Sequence, residues 1–224
     1  MLHRRVFAST ALLACAVLAG CATTRSELQL PTPSAAPAAA APSTGKVAVI
    51  RTVKDERVFE DAPSDPSTPS LGFGGASQAP AAIKLRAIGR KRGGFGQAFG
   101  DVLMQEGQTV ESVVRENLTT ALRQAGIQVA ADAAGAPPDA MLLDVRIKAL
   151  WSWINPGFWA ITANGRVATD VDVVGKPGAT RIAVEHSESR QLMTEGAWLE
   201  VIGKTLEAYR AEAVKKFAAL AAAR

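Results

Sequence analysis

The feature that most constrains the fold of this 224-residue chain is a change of hydrophobic period at Met141. From there Met141, Leu143, Val145, Ile147, Trp151 and Trp153 occupy one parity, and Asp144, Arg146, Lys148 and Ser152 occupy the other, the alternation of a half-buried strand. Asn155-Pro-Gly157 marks a turn. Beyond it Trp159, Ile161, Val167, Val171 and Val173 resume the pattern against Thr162, Asn164, Arg166, Asp170 and Asp172, as an antiparallel partner requires. A third run, Arg181 to Leu192, follows the Gly175-Lys-Pro-Gly178 turn and directs Ile182, Val184 and His186 inward.

Such strands need an apolar cover. Val110, Val113, Val114, Leu118, Ala121 and Leu122 recur at three and four residues between Thr109, an N-cap, and Ala125, before the stop at Gly126. Trp198, Val201, Ile202, Leu206, Tyr209, Val214, Phe217 and Leu220 do the same over Thr194 to Ala222. Lys46 to Val53 reads as a first strand with Val47, Val49 and Val53 on one face, and Ile83 to Ile88 as another short one. The pattern predicts an α+β domain, an antiparallel sheet of three to five strands with two main helices on one face. Its limits are residues 46–224, and Pro63, Pro66, Pro69 and Gly72-Phe-Gly-Gly75 predict a disordered or exposed loop near 60–80.

The first 45 residues carry a different message. Met1-Leu-His-Arg-Arg5 is positive, and Val6 to Ala19 is apolar over about 14 residues, short of the roughly 20 that span a bilayer. Leu18-Ala19-Gly20-Cys21 follows. In these residues the chain resembles bacterial lipoproteins with a lipobox. The resemblance implies a signal peptide over 1–20, cleavage before Cys21, a diacylglyceryl thioether on that cysteine and acylation of the new amino terminus. Several acyl chains at about 0.8 kcal/mol per buried CH₂ make a permanent anchor. Ala22 rather than aspartate follows the cysteine, which in the common sorting pattern implies the periplasmic face of the outer membrane rather than the inner membrane.

Residues 22–45 contain Pro31, Pro33, Pro37 and Pro42 without apolar periodicity, the composition of a tether. In polyproline geometry about 24 such residues reach roughly 70 Å.

Processing changes the chemistry available. Loss of Arg4 and Arg5 reduces 25 basic residues to 23 against 21 acidic ones, so the mature chain is nearly neutral and nucleic acid is not an expected partner. Cys15 is discarded and Cys21 modified, which leaves the domain without a thiol, and His186 is its single histidine. No metal, cofactor or catalytic residue is expected.

The candidate clusters support that expectation. Neighbours in Glu185-His-Ser-Glu-Ser189 point to opposite faces of a strand, so His186 is not placed to activate Ser187 or Ser189. Asp170 and Asp172 share a polar face with Thr162, Asn164 and Arg166. Arg90-Lys-Arg-Gly-Gly-Phe-Gly-Gln-Ala-Phe-Gly100 fits neither phosphate-binding glycine pattern. Two partner-contact candidates remain. Arg90, Lys91 and Arg92, with Lys84 and Arg86, form a basic stretch suited to lipid phosphate or an acidic partner. Trp151, Trp153 and Trp159 flank one turn, either packed under the long helix or exposed as an aromatic platform.

Val113-Val-x-x-x-Leu-x-x-Ala-Leu-x-x-Ala-Gly-Ile-x-Val129, followed by Leu143-Asp-Val-Arg-Ile147, two further strands and a terminal helix, resembles the YajG-type envelope lipoproteins over roughly residues 46–220. The long insertion after the first strand is a departure from that pattern. The resemblance implies a non-enzymatic envelope protein. The expected function is a membrane-anchored accessory or binding module in envelope assembly or transport, with an envelope protein as partner and homo-oligomerisation left open. The alternative is a lipoprotein that binds lipid or peptidoglycan fragments.

Overall fold

One 16-residue strand, Met141–Pro156, organises the molecule. The structure, a computed structural model, describes residues 25–33, 43–93 and 97–222, and Cys21 with its lipobox lies outside them. In chain order the strands are β1 (Ser26–Leu28), β2 (Val47–Asp55), β3 (Ala87–Arg92), β4 (Ala98–Met104), β5 (Gln128–Val129), β6 (Met141–Pro156), β7 (Ile161–Val173) and β8 (Ala179–Arg190). The helices are α1 (Ala81–Arg86), α2 (Val110–Gln124) and α3 (Glu195–Ala222).

The fold is mixed α/β, with α2 and α3 packed against one face of an eight-stranded sheet. The sheet is larger than the three to five strands expected, and it is not purely antiparallel. Along one side of β6, β2 pairs in parallel with its first half, from Ala48↔Met141 to Asp55↔Ile147. On the same side β3 pairs in parallel with its second half at Gly89↔Ser152. A strand this long has room for two partners on one edge, which no local sequence period reveals. β7 covers the other side and β8 follows it, both antiparallel.

The tether expected over 22–45 is corrected for residues 25–33. β1 pairs in parallel with β4, Ser26↔Val102 to Leu28↔Met104, and Leu28 and Leu30 are buried in the main core. Gln108 fixes this segment by accepting from Leu30 N–H at 2.9 Å and donating to Leu30 C=O at 2.8 Å. Two leucines flanking Gln29 supply apolar burial that the proline-rich composition conceals. Residues 34–42 lie outside the described residues.

The helix expectations hold. Thr109 caps α2 by accepting from Ser112 N–H, with the reciprocal bond of a capping box, and Gly126 ends the turn at φ +77°. Thr194 accepts from Ala197 N–H at the start of α3. Residues 83–88, expected as one strand, instead divide between α1 and β3. In β2 a register shift between Ile50 and Thr52 places Ala48, Ile50 and Val53, rather than Val47, Val49 and Val53, against the main core.

A second irregularity decides the fate of the tryptophans. Ile147 pairs with Thr169 but Ala149 pairs with Ala168, so Lys148 is an extra residue, a bulge that inverts the facing of everything after it. Leu143, Val145 and Ile147 face the helices before the bulge, and Leu150 and Ile154 face them after it. Trp151 and Trp153 therefore turn to the opposite face, 2% and 5% exposed, and pack with Leu71, Ala87 and Leu103 in a second core. The expectation that they lie under the long helix is corrected.

That second core needs a cover, and the insertion provides it. Residues 60–80 are irregular but not loose: Glu60 and Ser70 form a bridge, and Pro63, Ser70, Leu71 and Ala76 are buried. Pro66 C=O accepts from Trp151 Nε1 at 3.2 Å, and the Phe59 ring meets Trp151 edge-on at 6.1 Å. Withdrawing large apolar side chains from water contributes about 1.5–3 kcal/mol each, enough to hold a segment without secondary structure. Arg57 fastens its start. This guanidinium is fully withdrawn from solvent, donates to the carbonyls of Lys84, Ala87 and Leu150 at 2.6 to 2.9 Å, and grips Asp55 through two nitrogens.

Candidate functional site

Three surface regions carry side chains that the core does not consume. The first is the outer strand. Among the described residues β8 pairs only with β7, so one side of its 12-residue backbone offers unpaired N–H and C=O groups. Its even-numbered residues, among them Ile182 and Val184, face α3. On the opposite face Arg181, Ala183, Glu185, Ser187 and Ser189 are exposed.

Charge alternates along this outer face. Arg166 and Glu185 are register partners at 2.9 Å, and Asp170 accepts from Arg181, also directly opposite, at 3.3 Å. Arg166 and Arg181, with Ala168, Ala183 and Glu185, border an open depression between the last two strands. Asp172 pairs with Arg146 at 2.9 Å, so neither aspartate is set up as half of a carboxylate pair.

Strand geometry separates the histidine from the serines, as the alternation requires. His186 Nε2 lies 3.4 Å from Glu188 Oε2 on the helix side, whereas Ser187 donates to Asn164 Oδ1 at 2.7 Å on the other. Glu188 is the centre of a charge cluster. Burial acts to raise its pKa, but bonds from Lys204, Arg190 and His186 outweigh it and bring the carboxyl down to about 2. Bonds to Glu188 and Glu200 in turn raise the Lys204 ammonium, and Lys204 at 2.7 Å with Arg190 at 2.6 Å lowers Glu200. The cluster locks β8 to α3.

The second region is the basic stretch, which the fold divides. Arg86 points to Glu27 at 2.7 Å, near the far end of β4, and donates to Met104 C=O. Arg90 is half-buried opposite Asp101, and burial pushes its guanidinium below the usual value while Asp101 opposes the shift. Lys91 is half-buried, and burial likewise lowers Arg92, which donates to Pro63 C=O at 3.4 Å. Arg90, Lys91 and Arg92 are thus woven into the sheet and its cover rather than gathered into one patch.

The third region is aromatic. Trp159 is 84% exposed and parts company with Trp151 and Trp153, so the expected trio does not assemble. It has a partner that sequence reasoning missed, Phe158, 90% exposed and edge-on to it at 4.7 Å. Two consecutive aromatics beside a turn cannot both follow one strand's inward parity, and that was the available signal. Phe73 and Leu192 are exposed as well. Phe73 has φ +55°, and Arg25 lies with its guanidinium carbon 4.5 Å above the ring while donating from Nε to buried Asp101 at 3.0 Å. Among the described residues no helix is long and apolar enough to cross a membrane.

No family model matches the chain, and no curated protein matches it. Among solved structures one similar chain is an uncharacterized protein, 11% identical, with a TM-score of 0.42 over 86% of this chain and 97% of that one. Another is a "putative neuraminyllactose-binding hemagglutinin homolog" from Helicobacter pylori, 9% identical, with a TM-score of 0.39 over 84% of this chain and 91% of that one. At these scores the likenesses carry no argument about this protein's activity.

Proposed function

We propose that the protein is a lipid-anchored, non-enzymatic accessory module of the bacterial envelope, held through Cys21 at the periplasmic face of the outer membrane. Its partner is an envelope protein that offers an extended segment to β8. The observation that carries the reading is the outer strand itself, 12 residues long, paired on one side and bordered by alternating charges. Backbone hydrogen bonds along such an edge supply affinity, and Arg181 and Glu185 supply register. The alternative, a lipid- or glycan-fragment receptor, would draw on space between sheet and helices. Trp198, Tyr209 and Phe217 fill that layer, which favours the edge.

A photocrosslinking residue at Ala183 or Glu185 in living cells is expected to capture one recurrent envelope protein, whereas the same residue at exposed Lys215 on α3 captures none. Absence of a recurrent adduct from either edge position would refute the partner reading.

A further inference from the structure

We infer that the end of the sheet bearing Phe73, Phe158, Trp159 and Leu192 seats directly on the bilayer, an inference that rests on Cys21 being the lipid anchor. The strand directions place Phe158, Trp159 and Leu192 at one end of the sheet, and Phe73 lies against the chain's entry into it. β3 runs parallel to β6, so Arg92 and Pro156 lie at one end of the sheet, and Ala98, opposite Arg92, begins β4 there. β1 runs parallel to β4, with Ser26 beside Val102, so the chain comes into the sheet from that same end. The β6–β7 turn carries Phe158 and Trp159 at this end, and β8 finishes there with Arg190 opposite Ile161, just before Leu192. Phe73 stacks on Arg25, the first described residue.

Covalent reach then limits how far the domain can stand from its anchor. Cys21 precedes Arg25 by four residues, which span about 14 Å when fully extended. A protein held that closely must press some surface toward the headgroups. The nearest one exposes four large apolar side chains, two of them an aromatic pair of the kind that settles at the membrane interface. The other exposed large apolar side chains among the described residues lie elsewhere: Val174 at the opposite end, where its N–H bonds Leu142 C=O, and Val58 beside buried Arg57 over mid-sheet. Arg25 and Arg90 are engaged with or facing Asp101, and Arg92 donates to Pro63, so the contact is aromatic rather than ionic. Anchor and tip together hold β8 in a fixed orientation to the membrane plane.

The test uses the full acylated protein in vesicles of phosphatidylethanolamine and phosphatidylglycerol. Because Cys21 is the mature chain's sole cysteine and is blocked as a thioether, one nitroxide can be attached through each of Phe158→Cys, Trp159→Cys, Leu192→Cys, Val58→Cys and Val174→Cys. At 158, 159 and 192 the nitroxide is expected to collide more with lipid-soluble oxygen than with a water-soluble nickel chelate. The ratio reverses at 58 and 174, and high salt leaves both patterns unchanged. Water-like accessibility at all five positions with Cys21 acylated by mass spectrometry, or depth that salt abolishes, overturns the seating and spares the anchor. An unacylated Cys21 overturns both.

Discussion

Ile147 and Trp151 lie four residues apart on one strand yet face opposite sides of the sheet, because Lys148 is an extra residue in β6. The two hydrophobic cores depend on that bulge. Deleting Lys148 restores strict alternation and directs Trp151 and Trp153 into the layer already filled by α3. The expected result is loss of cooperative folding, since repacking two indoles exceeds the usual 1–3 kcal/mol of overpacking. Lys148→Ala keeps the bulge and removes only a partly exposed pair with Glu56, so the urea midpoint should stay close to that of the parent protein.

Helix α3 approaches β7 closely at Gly165, where a β-carbon would lie 2.2 Å from Thr205 Oγ1. Thr205 has no easy retreat, because its hydroxyl donates to Val201 C=O at 2.7 Å. Gly165→Ala is predicted to destabilise the fold by about 1–3 kcal/mol. Thr205→Ala should recover part of that loss in the double variant, as measured by denaturant midpoints.

Arg57→Leu removes a buried cation, strips Asp55 of its guanidinium partner and takes one donor from each of three carbonyls. A loss of about 3–5 kcal/mol is expected, with early protease cleavage within residues 56–80. Arg57→Lys should recover little, because a single ammonium cannot reproduce the guanidinium fork.

Glu188 sets an acid limit on stability. Its carboxyl titrates near 2 in the folded protein, below its ordinary 4.5, so its contribution is complete above about pH 5 and fades as pH falls toward 2. Allowing for solvent around a partly exposed cluster, that contribution is about 1–2 kcal/mol. Glu188→Gln should be less stable at neutral pH and show a flatter decline between pH 5 and 2 in urea titrations.

Legibility in the sequence followed the reach of each interaction. The helix start at Thr109, the stop at Gly126, the period-two run of β7 and that of β6 as far as Ile147 are local, and they hold; beyond the bulge at Lys148 the alternation of β6 is inverted. Pairing of Ser26 with Val102 or of Gly89 with Ser152 joins distant segments and has no local period, so sheet size and the parallel strands were not legible. The bulge left a trace, because Leu150, Trp151, Trp153 and Ile154 place apolar side chains on both parities, the mark of a strand buried on both faces. The insertion did not: Pro66 and Leu71 gain their role from Trp151 and Leu103, far along the chain.

The membrane anchor is the claim on which the functional account stands, and mass spectrometry of the mature amino-terminal peptide tests it most directly. The account predicts a terminus at Cys21 carrying a diacylglyceryl thioether and an amide-linked acyl chain. A terminus elsewhere, or Cys21 recovered as a free thiol, would contradict it.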